Sequence, residues 1–355
     1  MAQVQATQRD LAAALWGRVF FNGPLEYLLV GGGLSLITVF AVLLLTDGHA
    51  YASTTMFATI ILLSNSAHFA ASTVRLYTKP DHAKSWPFLT MLFPLVSLVV
   101  LTICMMQPER LGSHLQSLYL TWSPYHYAAQ AYGLAVMYSA RSGCKLSLRD
   151  KKWLRGAAML PFVYAFFNQP GAGILWLLGP ERIIGMPWLD RTLGFFGDVL
   201  PYVGFAAPLL LLAKTWRGGN GMPLIAALTL VTNGVWWFVF TGLQAFLWAT
   251  VFHGIQYLVF VLIFHVREQM ARPDNRHGVA YHVAAFYGAC VLLGYGLFQT
   301  LPWAYTMAGF GMVESMLLVV AAINVHHFIV DAFIWRLRKG DSNVRVVEGT
   351  AVAYA

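Results

Sequence analysis

Long apolar stretches recur from near Glu26 to near Trp335, with polar residues collected in the short segments between them. Many exceed the roughly 18 apolar residues that mark a spanning helix. The pattern predicts ten such helices. The first four cover Glu26 to Leu45, Thr54 to Tyr77, Phe88 to Met106 and Leu115 to Tyr138. The next four cover Leu154 to Leu178, Val199 to Ala213, Pro223 to Phe240 and Leu243 to His265. The ninth runs from Tyr281 to Gln299. The tenth stretch, Pro302 to Trp335, is longer than the roughly 20 residues a span needs, so it either tilts or breaks at Gly309 and Gly311.

Charge placement orders these spans. Lys and Arg follow every second one: Arg75, Lys79 and Lys84; the run from Arg141 to Arg155; Lys214 and Arg217; Arg267, Arg272 and Arg276; Arg336, Arg338 and Lys339. The other connections are nearly free of them, apart from Arg110 and the Arg182 to Arg191 segment. Basic loops stay in the cytoplasm. The expected architecture is therefore an all-α, polytopic integral membrane bundle of about ten transmembrane helices with both termini cytoplasmic. Residues 1–25 form a cytoplasmic N-terminal segment, 26–338 the membrane domain, and 339–355 a cytoplasmic tail. Trp86, Trp122, Trp153, Trp188, Trp216 and Trp303 stand near predicted ends, as interfacial belts require.

Composition agrees. Hydrophobic residues make up 58% of the chain and charged ones only 11%, against about 25% in soluble domains; so few charges do not solvate a soluble surface of this size. The net charge of +8 sits at helix ends, which argues against nucleic acid as a partner. The N-terminus MAQVQATQRDLAAALWGR has neither a basic start nor an apolar run, so the first span is expected to act as the targeting signal. Cys104, Cys144 and Cys290 form no CxxC and suggest neither a disulfide framework nor a thiolate metal site.

Candidate chemistry lies in the histidines. His68, His126, His253, His326 and His327 fall inside four even-numbered spans. Counting back from the next basic residue at 1.5 Å per residue places His68 roughly 10 Å deep, His326 roughly 15 Å, and His126 and His253 roughly 21–22 Å. Polar side chains at such depth are costly and usually mark function. One such His can simply bridge two helices; five in four spans that run the same way suggest a common site. Neutral imidazole suits iron, copper, zinc and nickel, and a ligating ring gives its other N–H to a partner. An amide or carboxylate lies one turn from four of the five: Asn65 before His68, Gln130 after His126, Gln256 after His253, Asn324 before His327 and Asp331 after it. Asp331 is either a ligand itself or the ion-pair partner of Arg75 or Arg336. His265, His277 and His282 fall at the cytoplasmic edge, with His265 and His282 placed to guard a mouth; His49, His82 and His114 fall in loops. Glu26 and Glu314 read as ordinary interfacial charges.

The chain has no HExxH, P-loop, strand-linked GxGxxG or CxxCH, and it lacks the HxxxH and HxxHH boxes of membrane desaturases and alkane hydroxylases. The segments HFAASTVRLY, YHYAAQAYG, HGIQY and HHFIVDAFIWRLR resemble signatures of a group of histidine-rich bacterial multi-pass membrane proteins. That resemblance implies a bacterial inner-membrane location and carries over no catalytic residue. The function expected from the residues is a histidine-ligated metalloenzyme. Its metal would be non-haem iron, with copper as the second choice, and it would oxidise an apolar lipid, alkyl or isoprenoid substrate with electrons from a separate donor. The alternatives are a haem-binding redox protein, with His126 and His253 at matching depth as axial ligands, and a metal-ion or proton transporter.

Overall fold

The computed structural model describes residues 14–45, 54–78, 86–240 and 242–335. Lys79, Lys84, His49, His82, Arg336, Arg338, Lys339 and the tail 339–355 lie outside the described residues, as does most of the N-terminal segment.

Every regular element among the described residues is helical. Helices α1 (Gly23–Leu29) and α2 (Gly33–Leu45) come first. A π-helical turn at Leu62–Ser66 then joins α3 (Thr54–Ile61) to α4 (Ala67–Thr78). Further π turns at Phe88–Leu92 and Pro108–Gly112 lead into α5 (Phe93–Met106) and α6 (Ser113–Arg141). Next are α7 (Leu148–Asn168), α8 (Gly173–Leu178), α9 (Pro180–Ile184), α10 (Pro187–Arg217), α11 (Leu224–Val239) and α12 (Gly242–Met270). A last π turn at Gly296–Thr300 links α13 (Val279–Tyr295) to α14 (Leu301–Met307), and α15 (Met312–Ile334) completes the series.

Among the described residues six helices are long and apolar enough to cross a bilayer: Thr55–Thr78, Phe88–Met106, Pro187–Arg217, Gly242–Met270, Val279–Met307 and Met312–Ile334. Helices α1 and α2 make a seventh if their 48° bend is counted within one span. The protein is thus a helical membrane protein. Where the sequence pattern runs one stretch from Pro302 to Trp335, the chain makes two elements. Leu301–Met307 continues the ninth helix, and Gly309, at φ +99°, turns the chain where an L side chain is strained. The final spanning helix therefore starts at Met312.

Local chemistry sets several helix starts. Asn22 caps α1 by accepting from the Leu25 N–H (3.0 Å), with Pro24 in the first turn. Ser147 and Asp150 form a capping box on α7.

The described residues fall into two compact units. The first holds 14–45 and 124–256, the second 54–123 and 257–335, so α6 is divided after Ser123 and α12 after Gln256. In the first unit α7, α10 and α11 pack on one another, and α11 packs on α2. The break between α1 and α2 seats here. Gly32 has φ +82°, and a Cβ on it would stand 2.4 Å from the Thr232 hydroxyl of α11. Close by, the Trp236 indole N–H donates to the Ser35 hydroxyl at 2.6 Å. In the second unit α4 packs on α13 and α15, and α15 on α5. Ala67, Ala70 and Ala71 are fully buried against Tyr257, Leu258, Val261, Phe286 and Cys290. Such small residues let helices approach closely where lipid supplies no hydrophobic drive.

Two predictions follow from the first unit. Gly32→Ala combines a strained φ with a clash and should destabilise by about 1–3 kcal/mol, read as a lower thermal midpoint in detergent. Asp150 accepts hydrogen bonds from Lys214 and Ser147, and these hold its carboxyl below the usual carboxylate range. A depressed pKa contributes stability above the unfolded value of about 4 and loses it as pH falls through the lower folded value. The gap in midpoint between wild type and Asp150→Asn should be small, because the pair is partly solvated. It should close on acidification through that window.

Candidate metal centre

Helix periodicity places residues four apart on one face. On α4 that aligns His68 with Ser72, and on α15 it aligns His327 with Asp331. These two faces meet in the second unit. The His68 and His327 rings are 4.5 Å apart between centroids and nearly perpendicular. His68, His327 and Asp331 each offer one ligand atom, and these atoms lie within 4.8 Å of one another. Donors on opposite sides of an ion with bonds of about 2.1 Å stand about 4.2 Å apart, so small rotamer adjustments close this group on one ion. His68 is 0% exposed, His327 1% and Asp331 6%, which removes water as a competing ligand.

The hydrogen bonds around the group set its polarity. The Ser72 hydroxyl donates to the Phe69 carbonyl (3.1 Å), and its oxygen accepts the Nδ1–H of His327 (2.8 Å). Nε2 stands 3.5 Å from Oδ2 of Asp331. The other carboxylate oxygen, Oδ1, accepts from the Tyr257 hydroxyl at 2.8 Å, and the Trp335 indole N–H donates to that hydroxyl at 3.1 Å. Nε2 of His327 and Oδ2 of Asp331 thus face each other in a dry pocket. Imidazoles and a carboxylate are donors that transition metals take, so the chemistry of the donor set fits a metal ion.

Apolar and ionic groups enclose this centre. Phe69 packs its ring on His327 (4.7 Å) and on Phe298 (5.5 Å). Arg75, 2% exposed, donates to Glu268 at 3.0 Å and lies 4.9 Å over the Trp335 ring. Of the two ion-pair partners expected for Asp331, Arg75 donates to Glu268 and also lies close enough for its charge to act on the Asp331 carboxyl, and Arg336 lies outside the described residues. His326 points elsewhere, as its position about 100° around the helix from His327 demands. Its ring stacks on Phe93 of α5 at 4.7 Å and 10°, and its buried Nε2 has no hydrogen-bond partner among the described residues. Asn65 and Asn324 are buried in the same unit. Asn324 donates to the Val320 carbonyl (2.7 Å), and the side-chain oxygen of each is unpartnered among the described residues.

The first unit holds His126 and His253. Their rings are 5.0 Å apart at 75°, and the His253 ring stacks on Tyr127 at 4.2 Å. The Tyr127 hydroxyl hydrogen-bonds Thr250 at 2.7 Å. The amides expected to hold these rings bind elsewhere. Gln130 donates to the backbone carbonyl of His253 (3.4 Å) and to Gln256 (3.3 Å), and Gln256 donates to the Val30 carbonyl at 2.5 Å. A cavity of about 30 Å³, space for about two waters, lies beside His253, Asn233 and Gln256.

Several residues that matter were not singled out from the sequence. Ser72 and Tyr257 orient His327 and Asp331. Glu26, expected to be interfacial, is 0% exposed. Its carboxylate accepts from the backbone N–H groups of Phe20, Phe21 and Asn22 and from the Tyr138 hydroxyl. The signal for Ser72 was present, since it follows His68 by one helical turn. Tyr257 and Tyr138 carried none, because aromatic residues are dense throughout. The chain matches no family model, no curated protein and no solved structure.

Tyr257→Phe keeps the ring but removes the donor to Asp331 and the acceptor of the Trp335 N–H. It should destabilise by about 1–3 kcal/mol, read as a lower thermal midpoint in detergent. An unchanged midpoint would show that neither hydrogen bond is made.

Proposed function

We propose that the protein is a membrane-embedded metalloenzyme, an oxygenase or oxidase whose iron is held by His68, His327 and Asp331. The observation that carries this is the meeting of two imidazoles and one carboxylate in a buried apolar pocket, with His327 and Asp331 already turned by Ser72 and Tyr257. Two His and one carboxylate with open positions are the donor set of non-haem iron oxygenases. Bound there, the ion supplies dioxygen activation. The protein's own residues supply the rest. Ser72 fixes the His327 tautomer, Tyr257 fixes the carboxylate, and Phe69 and Phe298 exclude water from the pocket. An apolar substrate, a lipid, alkyl chain or isoprenoid, partitions into the same bilayer as the site. Electrons come from a separate donor or from the substrate. The chain crosses a bacterial inner membrane about ten times with both termini cytoplasmic; the alternation of basic connections supports this count, with α6, α7 and α11 as spans beyond the seven most apolar.

The transporter reading draws on one observation, the 48° break between α1 and α2, because broken helices line many transport sites. A resident metal separates the two: an enzyme retains a stoichiometric ion through purification, whereas a transporter exchanges it.

Detergent-purified protein should carry one iron per chain with no Soret band. His327→Ala and Asp331→Asn should each lower metal content at least about tenfold, while His253→Ala should keep it. Protein that has met no chelator yet holds no transition metal would sink the proposal. A Soret band would replace it with the haem reading.

A further inference from the structure

The connection between α12 and α13 forms a second site, independent of the metal. A pocket of about 220 Å³ opens there, and every residue that lines it is polar or charged. Arg272 and Arg276 bring two guanidinium groups to it against the single carboxylate of Asp274. Neither arginine is ion-paired among the described residues, so both charges are available to a ligand.

The wall of this pocket is built. Asn275 clamps the loop on itself: its side-chain N–H donates to the His277 carbonyl (2.9 Å) and its oxygen accepts the His277 backbone N–H (3.1 Å). The same oxygen lies 2.8 Å from Nε2 of His282. An amide oxygen only accepts, so Nε2 of His282 carries the proton. His282 is 8% exposed although it starts a helix, and His277 stacks on Tyr281 at 4.0 Å. A side-chain network that holds a loop at fixed shape around two arginines and a single carboxylate is a preorganised, net-positive anion site. The first turn of α13 adds to it, because its N-cap Gly278 supplies no side-chain acceptor for the N–H groups there.

We propose that this pocket binds a phosphate group. Planar guanidinium forks match phosphate oxygens bidentately. The pocket ends a spanning helix in a basic connection, the side on which anionic headgroups and soluble phosphates are both present. The volume accommodates a phosphate group together with several waters.

The test is a thermal-shift titration of the full-length protein in detergent at fixed ionic strength. Inorganic phosphate is compared with chloride, and phosphatidylglycerol with phosphatidylcholine. A saturable rise with phosphatidylglycerol alone assigns a lipid headgroup, and a rise with inorganic phosphate assigns a soluble source; either supports the site. Arg272→Gln/Arg276→Gln should weaken the response at least about tenfold. The control Arg149→Gln/Lys152→Gln, which removes two basic residues from another connection, should keep it. The proposal is overturned if neither phosphate source raises the midpoint. It is equally overturned if the Arg272/Arg276 variant, folded by size-exclusion, responds as the wild type does, or if the control loses the response as fully.

Discussion

Hydrocarbon offers no water to a polar group, so each buried donor and acceptor in this protein must find its counterpart within the chain. That constraint organises both units. Glu26 is wholly buried and is tolerable only because three backbone N–H groups and the Tyr138 hydroxyl converge on it. The chain ahead of α1 is folded around that carboxylate. Arg75 is almost as deeply buried and is matched by Glu268 and by the face of Trp335. Trp335 in turn donates to Tyr257, which donates to Asp331. Trp335, Tyr257 and Asp331 thus form one chain of donors and acceptors that leads to His327.

That chain ends at the candidate metal group. There His327 Nε2 and Asp331 Oδ2 face each other at 3.5 Å, with the His68 ring alongside, in a group that could hold a metal ion. The small residues of α4, Ala67, Ala70 and Ala71, let it pack closely on α12 and α13 beside this group. The π turn at Leu62–Ser66 directly precedes this segment, and such turns are frequent at functional sites.

His126 and His253 belong to the first unit. Their rings contact each other and Tyr127, while the nearby glutamines tie backbone carbonyls together. Gln256 satisfies the Val30 carbonyl, which the break between α1 and α2 would otherwise leave exposed to hydrocarbon. An amide close in sequence to a histidine is therefore no guide to which group it binds. Backbone carbonyls freed by a helix break compete for the same donors, and here they win.

The sequence by itself determined the membrane class, the helical content and the identity of the polar residues placed at depth, because hydrophobic length and the cost of burying charge are local properties of the chain. It also aligned His327 with Asp331 and His68 with Ser72, since a helix repeats every 3.6 residues wherever it sits. Only the tertiary structure decided that those two faces meet, that His326 turns away to Phe93, and that Glu26 is a buried acceptor. It also decided where helices stop, ending one at Gly309 inside a continuous apolar stretch. The physical reason is that apolar periodicity records which residues avoid water but not which neighbour covers them. In a bilayer lipid and protein are equally good cover, so the partner of each helix face is set by small residues and hydrogen bonds that read as ordinary sequence until the helices are packed.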